Sequence, residues 1–280
     1  MSDSVLVTGG AGYVGSHACK ALAAAGFRPV SYDDLSTGHR WAVRWGPLVE
    51  GDIRDGARLA AAFAEYRPVA VLHFAAQAYV HQSVIDPLGT WDVNFAGSLA
   101  LLRAVMAAGA PPLVFSSTCS LYGITDAPLL DECQPVRPIN PYGASKAAVE
   151  RLLADLAPLG LRHAALRYFN AAGADPDGET GECHDPEPHL IPNVLKAALG
   201  SGPPVTLHGH DYPTPDGTCV RDYVHVADLA AAHVLALRRL LAGGASLTLN
   251  LGSGGGASGS EVIATAERVV TERDADGYPM

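Results

Sequence analysis

Tyr142 and Lys146 stand four residues apart in Tyr142-Gly143-Ala144-Ser145-Lys146, which places a phenol and an ammonium on one face of a helix. A tyrosine with its ordinary pKa of about 10 is a poor base at neutral pH, but a nearby cation stabilises the phenolate and lowers that value. Ser116-Ser117-Thr118 closes a β-rich run upstream and can bring a hydroxyl to the same substrate oxygen. The chemistry open to this set is proton transfer at an alcohol. Tyr-x-x-x-Lys is common by chance, so its meaning depends on the rest of the constellation.

A second constellation lies near the N-terminus. In Thr8-Gly9-Gly10-Ala11-Gly12-Tyr13-Val14-Gly15, residues Gly9, Gly12 and Gly15 fit G-x-x-G-x-x-G between a strand-like run and a helical one. A tight turn, an unobstructed backbone and a helix N-terminus suit a pyrophosphate. Asp33 follows 18 residues after Gly15, at the end of the second strand, where an acid binds ribose hydroxyls. Asp34 adds negative charge that repels a 2′-phosphate, although a cap or turn role suits it better than direct contact. The pair predicts NAD rather than NADP. Asp52-Ile53 and Phe74-Ala75 end the third and fourth strands, on the edge of the sheet where such a ligand sits.

The elements that must position these residues alternate. Strands are expected at Val5–Thr8, Pro29–Tyr32, Leu48–Glu50, Val69–Phe74, Leu113–Ser117 and His163–Tyr168. Helices are expected at Gly12–Ala25, Asp55–Tyr66, Pro87–Ala108 and Tyr142–Ala157; Val93, Ala96, Leu99, Leu102, Val105 and Met106 recur at helical spacing. Such alternation predicts an α/β fold, a doubly wound parallel Rossmann sheet with a smaller C-terminal substrate lobe. Residues 1–170 make the dinucleotide-binding part, to which the chain returns around 218–242. Residues 171–217 and 243–280 make the lobe. Ala171–His189 reads as a long functional loop. A helix (Ile191–Leu199), a strand (Val205–His208), a helix (Ala227–Leu241), a strand (Ser246–Leu251) and a helix (Glu261–Arg273) follow, with Asp274–Met280 as a tail.

Lys and Arg total 19 against 29 Asp and Glu, a net charge of −10, which argues against nucleic acid or an anionic membrane as partner. Five cysteines without a CxxC pair, no basic leader and no long apolar run predict a cytoplasmic protein. His208-Gly209-His210 and Cys183-His184 with His189 look metal-like but lack four ligands at zinc-type spacing, so no metal is expected.

Together these residues resemble the extended short-chain dehydrogenase/reductase superfamily, and within it the UDP-glucose (UDP-galactose) 4-epimerases. The likeness runs through residues 7–17, Glu50-Gly51-Asp52-Ile53-Arg54, His73-Phe74-Ala75-Ala76, Pro141 to Lys146, Leu166 to Asn170, Asp211-Tyr212-Pro213-Thr214 and Gly217 to Asp228. The resemblance implies that Tyr142 is base and acid at the sugar C4 hydroxyl, assisted by Thr118, with Lys146 on the nicotinamide ribose. Hydride leaves C4 for NAD, the 4-keto sugar turns over, and hydride returns to its other face. It implies cofactor contacts from Gly9, Gly12, Tyr13, Val14, Gly15, Asp33, Asp52, Ile53, Phe74, Ala75, Asn94, Ser116, Tyr142, Lys146 and Tyr168. It implies substrate contacts from Thr118, Tyr142, Asn170, Leu190, Leu207 and Arg221, with Arg221 facing the diphosphate. A homodimer, packed through helices matching Asp92–Ala108 and Tyr142–Ala157, is implied as well.

Related chemistries fit less well. Dehydratases of this fold need an acidic pair after the strand-end Ser/Thr, and Thr118 is followed by Cys119 and Ser120. NADPH-dependent reductases want a basic residue where Asp33-Asp34 stands. Epimerisation of a UDP-pentose or UDP-uronic acid stays open, as does a truncated NAD-binding protein with little turnover. Two departures from the family are Ala78, where some members carry lysine, and a C-terminal region several dozen residues shorter than usual.

Overall fold

The computed structural model describes residues 2–125, 127 and 129–271. In chain order they form β1 (Ser4–Thr8), α1 (Tyr13–Ala24), β2 (Arg28–Asp33), β3 (Leu48–Glu50), α2 (Gly56–Tyr66), β4 (Ala70–His73), α3 (Val80–Ile85), α4 (Pro87–Trp91), α5 (Ser98–Ala107) and β5 (Leu113–Thr118). Then come α6 (Pro141–Leu156), β6 (His163–Tyr168), β7 (Asn170–Ala172), α7 (Leu190–Ala198), β8 (Val220–Arg221), β9 (Tyr223–His225), α8 (Val226–Leu241), β10 (Leu247–Leu251), β11 (Ala257–Ser258) and α9 (Gly259–Thr271).

Seven strands make one parallel sheet, ordered β3-β2-β1-β4-β5-β6-β10. Its strands are apolar on both faces, as a sheet covered twice must be. Val5 and Val7 point to one side, where Leu22 of α1 and Leu237 and Leu240 of α8 pack on them. Leu6 points to the other, against Leu59 and Phe63 of α2, Leu101 and Val105 of α5 and Leu153 of α6. That two-residue alternation in β1 sets both layers. The strand order reverses between β1 and β4, and the crevice at the strands' carboxyl ends lies there.

Four expectations change. Leu247–Leu251 pairs with His163–Tyr168 as an edge of the central sheet, although residues 243–280 were expected in the lobe. Val205–His208 forms no strand, and the small sheet there pairs Ala257–Ser258 with Val220–Arg221. The long helix Pro87–Ala108 is broken by a π-helical stretch over Asp92–Gly97. Asn94, fixed by hydrogen bonds outside its own helix, and Gly97, whose missing Cβ leaves room for Ile53, hold that stretch open. The loop after β4 contains α3, whose six residues are too few for periodicity to show. The end of the last expected helix and the tail lie outside the described residues.

The polar segment after β7 docks on α1. Tyr13 donates to the Gly173 carbonyl at 2.5 Å, and Lys20 reaches Asp175, Asp177 and Glu179 at 2.7, 2.6 and 2.9 Å. The segment thereby closes over the start of α1. Among the described residues no helix is long and apolar enough to cross a membrane.

Candidate active site

The glycine turn follows β1 directly. Gly9 has φ +74°, and a Cβ there would sit 2.6 Å from the Ala75 amide nitrogen. A Cβ on Gly15 would lie 2.0 Å from the Gly9 carbonyl, so α1 can leave the turn only with glycine at this position. Gly12 precedes α1 with no side-chain cap, and the first turn carries no acid. The first N–H groups of α1, including those at Tyr13 and Val14, are thus left for an anion. Asp33, 8 % exposed, accepts from the Ala11 and Leu35 amides at 2.9 Å each. Burial pushes its carboxyl above the usual carboxylate range, opposed by those two amides. The cradle therefore fits a dinucleotide: bare helix end, glycine backbone and a buried acid at the second strand.

Ile53 is buried beside this crevice, and Phe74 and Ala75 direct their amides to the Thr8 carbonyl at 2.9 and 3.0 Å. Asp52 is engaged by Arg54 through Nε at 2.9 Å and an Nη at 2.5 Å, which holds its carboxyl below the usual range. Asn94 accepts from the Gln77 amide at 2.7 Å and donates to the Gln77 carbonyl and to Ser145 Oγ. Behind the turn, His73 bridges Thr8 Oγ1 and Ser98 Oγ at 2.7 and 2.8 Å; burial and the Lys146 charge pull its pKa down to about 3, so it stays neutral.

The proton-transfer set stands at the ends of β5 and α6. Asn140 caps α6, accepting from the Gly143 amide at 2.8 Å, and Pro141 takes its first position. Gly143 allows close approach to the Ser120 carbonyl, 2.7 Å from where a Cβ would be. That contact brings Tyr142 against Thr118. Burial pushes the Tyr142 phenol well above its ordinary value, and a hydrogen bond with Thr118 opposes this. The lysine does not overcome it. Lys146 Nζ lies 5.9 Å from the Tyr142 ring centre and donates to the Ser116 carbonyl at 2.9 Å. Tyr168 shares a 2.6 Å hydrogen bond with Ser116 Oγ.

Burial also draws Lys146 down to about 7. The unfolded chain keeps that proton to about pH 10, so between these values it binds more protons than the folded chain, and stability rises with pH. Below the folded pKa the whole cost of burying the cation is present. In dinucleotide-free protein, Lys146→Met is expected to raise the urea midpoint, and by more at pH 6 than at pH 9. A gain that grows toward alkaline pH contradicts this.

Asn170, Leu190 and Arg221 line one cavity of about 190 Å³, together with Glu182, His189, Cys219 and Tyr223. Leu207 is not brought there; its Cδ2 instead lies 3.5 Å from the position of a Cβ on Gly259. The sequence reading missed Glu182, His189 and Tyr223. Tyr223 begins β9 just after Arg221 ends β8, a break between two small sheets that no local spacing announces. His189 contacts Glu182 and Glu187 through Nδ1 at 2.6 and 2.9 Å. Against the pull of burial, the imidazoles of His184 and His189 hold the Glu182 carboxyl down at about 2.

Cys119, beside Thr118, is no nucleophile. Burial pushes its thiol up to about 11, and that of Cys19 to about 12. Cys133 and Cys183 are exposed. A disulfide reagent at pH 8 is expected to label those two rapidly, and Cys19 and Cys119 only after unfolding. Rapid native labelling of Cys119, read by peptide mass, overturns this.

Fold and site together define an enzyme of the Tyr/Lys dinucleotide class, built to move a proton beside a bound cofactor. A model of the NAD dependent epimerase/dehydratase family matches residues 5–252, and the chain belongs to that family. It is similar to the UDP-glucose 4-epimerase of Rhizobium leguminosarum bv. trifolii, at 53 % identity over 268 residues, covering 95 % of this chain and 82 % of that protein. Among solved structures, the UDP-glucose 4-epimerase from Brucella ovis in complex with NAD has a TM-score of 0.92 and 52 % identity, over 94 % of this chain and 82 % of that one. The enzyme from Stenotrophomonas maltophila, with bound NAD and formylated UDP-arabinopyranose, has a TM-score of 0.89 and 46 % identity, over 92 % and 80 %.

Proposed function

We propose that the chain is an NAD-dependent UDP-glucose 4-epimerase, interconverting UDP-glucose and UDP-galactose through a transient 4-keto sugar. The observation that carries this reading is the Tyr142, Thr118 and Lys146 set at the open end of the sheet, beside the glycine cradle. Bound NAD supplies a reversible hydride acceptor at the sugar C4. Gly9, Gly12, Tyr13, Val14 and Gly15 receive its pyrophosphate, and Asp33 the adenine ribose. Asp52, Ile53, Phe74, Ala75, Asn94, Ser116 and Tyr168 line the rest of its site.

Tyr142 takes the C4 hydroxyl proton at its phenol oxygen and later returns it. Thr118 shares its hydrogen bond with that oxygen and with the sugar, easing both transfers. Lys146, which donates to the Ser116 carbonyl, would hold ribose hydroxyls of the cofactor, and its charge favours the phenolate. Asn170, Leu190 and Arg221 hold the UDP portion, Arg221 by offering a planar pair of donors to the diphosphate. Leu207 has no part in that cavity.

Residues 1–170, 218–242 and β10 form the cofactor part in this reading, and the remainder the substrate lobe. A cytoplasmic homodimer is part of it too. Val84, Ile85 and Leu88 on α3 and α4 are more than half exposed, next to α6, and offer an apolar face for a second copy. Light scattering gives the mass that decides.

Incubation with UDP-galactose tests the activity. UDP-glucose formed without net reduced cofactor supports it; retained NAD with no product contradicts it and leaves a dinucleotide-binding protein. A second reading, epimerisation of a UDP-pentose, is favoured by the pentose nucleotide held in the Stenotrophomonas neighbour. UDP-arabinose in a parallel reaction separates the two.

A further inference from the structure

We infer that Glu182, His184, Glu187 and His189 bind a first-row divalent metal ion, of the zinc or manganese class, between the glycine cradle and the nucleotide cavity. One ligand atom from each of the four lies within 4.8 Å of all the others. Two imidazoles with two carboxylates suit zinc, manganese or iron(II) better than calcium or magnesium, which prefer oxygen alone.

The spacing is close to what an ion requires. Ligand atoms about 2.1 Å from a tetrahedral ion lie ~3.4 Å from one another. His184 Nδ1 stands 3.4 Å from Glu182 and 3.5 Å from Glu187 already. His189 Nδ1, at 2.6 and 2.9 Å from the same carboxylates, needs to withdraw by less than 1 Å. No backbone rearrangement is called for.

Charge and hydrogen bonding point the same way. The Glu182 and Glu187 side chains are 9 % and 4 % exposed, and their ion pairs among the described residues are with these two histidines. The two buried carboxylates face two imidazoles, and among the described residues no lysine or arginine pairs with either. His184 Nδ1, fully buried, has no hydrogen-bond partner at all. A divalent ion answers both. The acidic group Asp175, Asp177 and Glu179 offers the contrast, since Lys20 already sits among its three carboxylates.

The sequence conceals the site because two of its four ligands are carboxylates. Glu182-Cys183-His184 and Glu187-Pro188-His189 repeat an acid-x-His unit, and a search confined to Cys and His sees only half of it. Tyr13 and Tyr79 wall it, each edge-on to His184 at 6.4 and 5.7 Å between ring centres. Glu182 and His189 also line the nucleotide cavity, so the ion fixes one wall of that cavity from a position away from Tyr142.

The test uses tag-free chain with its native dinucleotide, treated with chelator and dialysed against zinc chloride or manganese chloride. Elemental analysis is expected to find about one equivalent bound, with a rise in the unfolding temperature that chelator reverses. His184→Ala and Glu187→Gln are each expected to weaken uptake at least about tenfold. Crystals grown with zinc are expected to give an anomalous-scattering peak between the four side chains, a measurement that stands even where a variant fails to fold. No uptake by the wild-type chain, equal uptake by both folded variants, or a peak confined to His208 and His210 overturns the inference.

Discussion

Tyr142→Phe is expected to lower kcat for UDP-galactose by at least about 10³ while leaving bound NAD and KM nearly unchanged. The substitution removes one oxygen and keeps the ring that packs beside Lys146. Its effect therefore isolates proton transfer from packing. Before cofactor binds, burial holds this phenol well above its ordinary value, and Lys146 is near neutrality at about 7. Burial alone holds neither group in its working state. Bound NAD would supply a positive charge that favours the phenolate and hydroxyls that favour the charged Lys146, since opposite charge and hydrogen bonding favour the charged forms. Activity is thus expected to rise with pH along one ionisation in the wild type, and the residual activity of the variant to lose that dependence. The result that sinks the assignment is a variant with more than about one-tenth of wild-type kcat.

Much of this site was legible as spacing. Four residues from Tyr142 to Lys146, and three between successive glycines of the turn, are periods of local structure, so the sequence carries them whole. Six strands of the sheet were legible for the same reason, as short β-rich runs alternating with helical patterns, whereas β10 was read as part of the lobe. Contacts between segments distant in sequence were not legible. Nothing local announces that Asn94 meets Gln77 and Ser145, or that the Asn94 turn winds as a π-helix to permit it. Leu207 was placed in the nucleotide cavity by resemblance alone, and Val205–His208, read as a strand, forms none. The pKa tendencies of Tyr142 and Lys146 depend on burial, which a spacing rule cannot supply.

Glu150→Ala is expected to cost about 3–5 kcal/mol of stability, and roughly 6–20 °C in Tm. Glu150 lies one turn beyond Lys146 on α6 and pairs with Arg167 of β6; the two side chains are 11 % and 9 % exposed. The carboxylate accepts from Arg167 Nε at 3.0 Å and an Nη at 2.5 Å, and from Ser117 Oγ at 2.5 Å. Arg167 also donates to Tyr122 at 2.9 Å, and Tyr122 to Asn250 of β10 at 2.6 Å. Removing Glu150 strands a buried guanidinium, and a stranded charge costs far more than the intact pair contributes. That asymmetry separates this account from simple loss of packing. The double variant Glu150→Met with Arg167→Met is expected to recover most of the loss, whereas a packing defect adds with each change. The same network ties α6 to Ser117, between the two strand-end hydroxyls of the site. Glu150→Ala should therefore also lower kcat more than it raises KM, by misplacing Tyr142 against Thr118. Chemical denaturation of the single and double variants decides the first point, and a double variant less stable than Glu150→Ala overturns it.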